Sequence, residues 1–260
     1  MLQAMELTKR FGAREVLHQV SFTIERGEVM GYLGPNGAGK STTVKILTGL
    51  LEPSAGRLFF EGRRIHQDLV EYKRRIGYVP EEALLYPYLT GLEYLQLIGR
   101  LRGIPEGMLK EKIDAFLQLF SLSTSRQLPL SSYSKGMRQK VLISAALLHD
   151  PDILIFDEPL SGLDVASALV AKNLIRALAR DGKSILFCSH VLEVVEKICS
   201  RVIILHQGSI VANDSAERLR FLVQSASLEE AFSQLVLQED TERIAEELVQ
   251  AMKLPFGASQ

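Results

Sequence analysis

The chain has 260 residues, 47% of them hydrophobic, and a formal net charge of −1. That length suits one large or two small domains around a sizeable core, and the balanced charge argues against a nucleic-acid partner. Two cysteines, Cys188 and Cys199, supply neither a disulfide framework nor a paired metal motif and fit a reducing compartment.

Taken in chain order, residues 1–30 mix short alternating runs with turns. VLHQVSFTI reads as strand-rich structure ending at Arg26-Gly27. The first fifteen residues carry no apolar stretch suited to a signal peptide. VMGYLG is a short apolar strand that runs into a glycine-rich loop, and KSTTVKILTGL continues as a helix closed by Pro53 and Gly56. RLFFEGRRI reads as a hairpin about Glu61-Gly62, and Lys73, Arg74 and Arg75 as a solvated turn. From Pro87 the character becomes helical. Leu109, Ile113, Phe116, Leu117 and Phe120 share one helical face, which suggests a helical subdomain inserted at about 87–133. Tyr86, Tyr88 and Tyr94 are expected to be exposed there.

After Ser134 the strand–helix alternation returns. Ser134 can cap a helix reaching His149, and Asp164 one that stops near Gly182. DILIFD and SILFCSH read as buried parallel strands, and RVIILHQGSIVAN as a hairpin about Gln207-Gly208. The most apolar region, 184–205, is interrupted by His190, Glu193, Glu196, Lys197 and Arg201, so no membrane span is expected and any membrane role is peripheral, through a partner. The fold class is α/β: a mainly parallel sheet with an antiparallel β subdomain and the inserted helices. It occupies residues 1–226, and an amphipathic, acidic helical tail follows at 227–260.

The chemistry concentrates at two places. GPNGAGKS, Gly34 to Ser41, fits G-x-x-x-x-G-K-S/T between a strand and a helix. A chain of this length meets the pattern by accident in roughly one case in a hundred. Gly34, Gly37 and Gly39 let backbone N–H groups turn inward as an anion nest, and the following helix aims its positive end there. Lys40 suits the β- and γ-phosphates of a nucleotide, and the Ser41 hydroxyl suits Mg2+. Pro35, Asn36, Ala38 and Thr42 complete the loop. The second place is DILIFDEP, where Asp157 and Glu158 end a buried strand. Carboxylates there are costly unless partnered. Asp157 suits support of the metal, and Glu158 suits polarising the water that attacks the γ-phosphate. A small-molecule kinase would share the loop but has no use for that second carboxylate.

Over residues 1–230 the chain resembles the nucleotide-binding subunits of the ATP-binding-cassette family, with motifs in the family's order. YSKGMRQ, Tyr133 to Gln139, is similar to the family signature, and SGLD, Ser161 to Asp164, to the loop after the catalytic glutamate. Ser189-His190 resembles the switch histidine, and Phe11 stands where the family places an adenine-stacking aromatic. Each residue also has a bland reading: Ser134 and Asp164 as helix caps, His190 as a turn residue, Phe11 as core.

The resemblance implies an ATPase with ATP and Mg2+ as cofactors. It implies that Ser134 and Gly136 serve the ATP of a second cassette, either a copy of this chain or a close homologue. It also implies a separate membrane-spanning permease and a peripheral place on the cytoplasmic face of the membrane. Two departures, Lys135 and Met137 in the signature and Glu81 where glutamine is usual, are similar to a bacterial exporter subfamily, as is SLEEAF, Ser227 to Phe232. Glu81 is expected to help ligate Mg2+. An importer subunit, or a soluble cassette acting on ribosomes or DNA, are the alternatives.

Overall fold

The computed structural model describes residues 1–82 and 84–236. Ten strands form two sheets among these residues. β1 (Leu2–Phe11) and β2 (Arg14–Ile24) make an antiparallel hairpin, joined by β4 (Ala55–Phe60) and β5 (Arg63–Arg64) in the order β2-β1-β4-β5. The larger sheet runs β10-β9-β3-β8-β7-β6. Its members are β3 (Val29–Leu33), β6 (Ile76–Val79), β7 (Ile153–Asp157), β8 (Ser184–Cys188), β9 (Arg201–His206) and β10 (Ser209–Asp214). All pairings are parallel except β9 with β10. Both expected hairpins therefore form.

β3, β7 and β8 are buried along their whole length, as continuous apolar runs in a parallel sheet require. Helices cover them: α1 (Lys40–Leu47), α2 (Leu69–Arg74), α5 (Lys135–Leu147), α6 (Val165–Arg180) and α7 (Leu192–Ile198). One apolar cluster joins the antiparallel sheet, α1 and one face of the large sheet through Leu17, Tyr32, Leu47, Ile155 and Leu186. A second covers the opposite face and takes in α3 (Gly91–Leu101) and α4 (Glu106–Leu119). Each fully buried leucine here is worth roughly 1.5–3 kcal/mol over an exposed one. α8 (Ala216–Leu222) and α9 (Leu228–Val236) pack onto this second cluster. The rest of the expected tail, 237–260, lies outside the described residues.

The apolar stripe of α4 is as expected, with Leu109, Ile113 and Leu117 buried. Tyr94 is a correction: it is 8% exposed, whereas Tyr86 and Tyr88 are 62% and 91% exposed. A capping box between Thr90 and Glu93 sets the start of α3, and Tyr94 then falls beside Leu95 on the inward stripe. Its ring meets that of Tyr86, with centroids 6.4 Å apart.

Candidate nucleotide site

In a parallel α/β sheet, ligands collect at the carboxyl ends of the strands. β3 lies beside β8, and β8 beside β7, with Asp157 in register with Cys188. The residues that follow these three strands therefore meet: the loop at 34–39, Glu158, and Ser189-His190. Together they line a cavity of about 830 Å³.

From the loop, Gly34, Pro35, Asn36, Gly37, Gly39, Lys40, Ser41 and Thr42 face this cavity. Ala38 belongs to the loop but not to the lining. It is buried, its N–H donates to the Pro35 carbonyl and its carbonyl accepts from the Gly208 N–H. Gly39 has φ 110°, and a Cβ there would lie 2.6 Å from Leu17 Cδ2, so both backbone sign and space require glycine. No side chain caps α1, which leaves its positive end to the cavity. Lys40 Nζ donates to the carbonyls of Gly34 and Pro35.

The carboxylates are held differently. Asp157 is buried, and burial, reinforced by the charges of Glu81 and Glu158, pushes its pKa up to about 6, with Lys40 acting against them. Glu158 has a left-handed backbone, φ 50°. Its N–H donates to the Cys188 carbonyl, and its carboxylate accepts from the His190 N–H at 2.7 Å and from Ser189 Oγ at 3.3 Å. His190 Nδ1 lies 2.9 Å from the same carboxylate, with its ring exposed. Glu81 is exposed and lines the same cavity.

Four other sequence-singled residues, Phe11, Ser134, Gly136 and Asp164, are not among the described residues lining it. Phe11 is 51% exposed at the tip of β1, with Lys9 Nζ 5.2 Å from its ring centroid, which removes the core reading. Ser134 caps α5 by accepting from the Met137 N–H, and Asp164 caps α6 by accepting from the Ser167 N–H. Gly136 abuts the loop after Glu158: a Cβ there would sit 2.5 Å from the Gly162 carbonyl oxygen. Lys135 Nζ donates to Ser161 Oγ at 2.7 Å, and the buried Gln139 amide donates to the Pro159 carbonyl. The start of α5 is thus fastened to the loop that carries Glu158. Sequence reasoning missed Arg14, Val16, Leu192 and Phe232, which also line the cavity. No local motif marks Arg14, Val16 or Leu192, and SLEEAF, which ends at Phe232, carries no sign of a place in the site; remote segments bring all four there.

A phosphate-loop strand–helix unit, with an acidic pair at the end of another parallel strand of the same sheet, defines a P-loop nucleoside-triphosphatase. Residues 17–161 match the family model described as ABC transporter. The chain is 39% identical over 224 residues to the ABC transporter ATP-binding protein NatA of Bacillus subtilis, covering 84% of this chain and 91% of that one. It is 34% identical over 219 residues to the Nod factor export ATP-binding protein I of Ralstonia nicotianae, covering 84% and 68%. Among solved structures, an ATP-binding subunit of an ABC transporter superposes with TM-score 0.85 at 34% identity, covering 90% of this chain and 99% of that chain. A dimeric post-hydrolysis cassette, MJ0796, bound to ADP and Pi, gives 0.76 at 25% identity, covering 83% and 98%. The chain belongs to the ABC transporter family as an ATP-binding subunit, and it is an ATPase.

Proposed function

We propose that this subunit powers an exporter, by pairing with a second cassette around ATP and driving a separate membrane-spanning permease. The observation that carries the pairing is the incompleteness of the cavity in one chain. It has a phosphate loop, an acidic pair and a histidine, but Ser134 and Gly136 lie elsewhere. The first turn of another cassette's signature helix, with the N–H groups that its Ser134 cap leaves unsatisfied, would supply the missing phosphate contacts. The partner cassette is a copy of this chain or a close homologue. The export relatives and the variants at Glu81, Lys135 and Met137 support the direction. No helix among the described residues is long and apolar enough to cross a membrane. As an ATP-binding subunit that drives a separate permease, the chain is placed in this proposal peripherally on the cytoplasmic face. For the domains we propose a cassette at 1–226, with helices inserted at 87–133 and a tail from 227.

In this reading Lys40 leaves the Gly34 and Pro35 carbonyls for the phosphates, and Phe11 stacks on adenine. Glu158 takes a proton from the attacking water while His190 and Ser189 hold its carboxylate. The donor set fits Mg2+: a hydroxyl at Ser41, the buried Asp157, and Glu81 at the rim. Among the described residues no group of three or more His, Cys, Asp or Glu side chains could hold a metal by itself. That matches an ion that keeps waters and binds through one or two carboxylates and substrate phosphates. When bound, Mg2+ offsets the charge of the β- and γ-phosphates.

The exporter reading is tested by purifying the chain from solubilised membranes and crosslinking it. A multi-span protein should co-purify, crosslinked through the exposed segment around Leu84, Tyr86 and Tyr88. Crosslinks confined to the tail would remove that docking surface. Accumulation of transported solute inside cells would reverse the direction.

Glu81→Gln should raise the Mg2+ concentration needed for half-maximal ATP turnover several-fold, yet leave substantial hydrolysis, because Glu158 remains. A lost charge at an exposed position is partly screened, so the shift is bounded. Transport should fall further than hydrolysis. A steady-state Mg2+ titration decides the matter: abolished turnover would make Glu81 the base.

A further inference from the structure

α9 is tied to the helix that follows the switch histidine. The Leu228 N–H donates to Glu196 Oε2 on α7 at 3.4 Å, and Glu196 Oε1 pairs with Arg220 of α8 at 2.8 Å. Ser227 Oγ accepts from the Glu230 N–H, while the Glu230 carboxylate accepts from the Ala226 N–H. These two bonds hold the start of the helix. Leu228 and Ala231 are then fully buried, in the same region as Val195, Ile198 and Leu219.

Phe232 departs from this pattern. It follows Ala231 directly but is only half-buried, and it lines the cavity that holds the phosphate loop, Glu158 and His190. Leu192, the first residue of α7 and two positions after His190, lines the same cavity. The segment 189–192 is therefore held on one side by Glu158, through the His190 N–H and Ser189 Oγ, and followed by a helix that α9 clasps. An α9 that merely covered α7 would have no need to place an aromatic ring in that wall.

We infer that α9 is part of the nucleotide site and that Phe232 is a positioning residue, holding segment 189–192 so that His190 stays against Glu158. This rests on the reading of the cavity as the ATP site. In this role the residue acts through the histidine segment, setting how that segment sits when nucleotide arrives.

The chain contains no tryptophan, so Phe232→Trp in the full-length protein introduces a single indole reporter. Its emission should shift on adding Mg-ATP, saturating at the same concentration as retention of radiolabelled ATP on filters. Phe221→Trp, at a 76% exposed position on α8, should not respond. Phe232→Ala should lower kcat about tenfold, as expected of a displaced catalytic segment, with KM for ATP within about twofold, and Phe232→Leu should restore most of the loss. Silent emission while ATP is retained would overturn the role of α9 and leave the ATP site standing. So would a Phe232→Ala protein with a lower melting temperature and unchanged kcat. Failure of the unmodified chain to retain ATP would instead remove the reading of the cavity. Should Phe232→Ala not fold, the tryptophan and leucine variants still decide.

Discussion

Glu158→Gln is expected to cut steady-state ATP turnover by about 10²- to 10⁴-fold, the range a positioned general base contributes, while ATP still binds. The substitution keeps shape and one acceptor oxygen, so the His190 N–H that now reaches Glu158 at 2.7 Å retains its partner. What is lost is the ability to take a proton. Because the phosphate loop and the signature helix of one chain face different places, trapped ATP should also hold two cassettes together. Light scattering of the variant in saturating Mg-ATP should report a dimer. A monomer, both alone and with the permease present, would end the pairing proposal; undiminished turnover would end the assignment of Glu158 as base.

Phe11→Ala should weaken ATP binding about ten- to a hundredfold, since stacking of a base on an aromatic ring is worth roughly 1–3 kcal/mol. The ring is half-exposed at the hairpin tip, so its removal costs little core packing and the melting temperature should hold. Its strand partner is Arg14, which lines the cavity, so the hairpin tip that carries the ring lies close to it. Stacking recognises a π-face rather than a hydrogen-bond pattern, so GTP affinity should fall in parallel. Equilibrium binding of both nucleotides checks this; an ATP affinity that does not move would leave Phe11 as a surface residue without a ligand.

These two positions also illustrate what was legible in the amino-acid order. The phosphate loop and the acidic pair could be read because their chemistry is contiguous: a strand, a turn and a helix within a few residues. The apolar runs around Ile155 and Leu186 announced a buried parallel sheet for the same local reason. Ala38 is expected among the nucleotide-binding loop residues yet does not line the cavity; its carbonyl accepts instead from the N–H of Gly208, far along the chain. Tyr94 is buried rather than exposed because the orientation of α3 depends on a capping box, not on hydrophobicity alone. Arg14 and Val16 on β2, Leu192 on α7 and Phe232 on α9 meet the site only through the tertiary arrangement, and no periodicity encodes that meeting. Ser134 and Asp164 turned out to be helix caps in fact; that role leaves room for a second one, because a capping hydroxyl or carboxylate keeps further hydrogen-bonding capacity.

The backbone at Glu158 carries one more implication. Of the non-glycine residues with left-handed backbone among those described, it is the one that lines the cavity. Such a conformation costs an ordinary side chain about 1–2 kcal/mol, which glycine would not incur and asparagine would incur less. Glycine at this position would relieve that cost but forfeit the carboxylate's contacts with His190 and Ser189, so heat resistance and turnover pull in opposite directions at one residue.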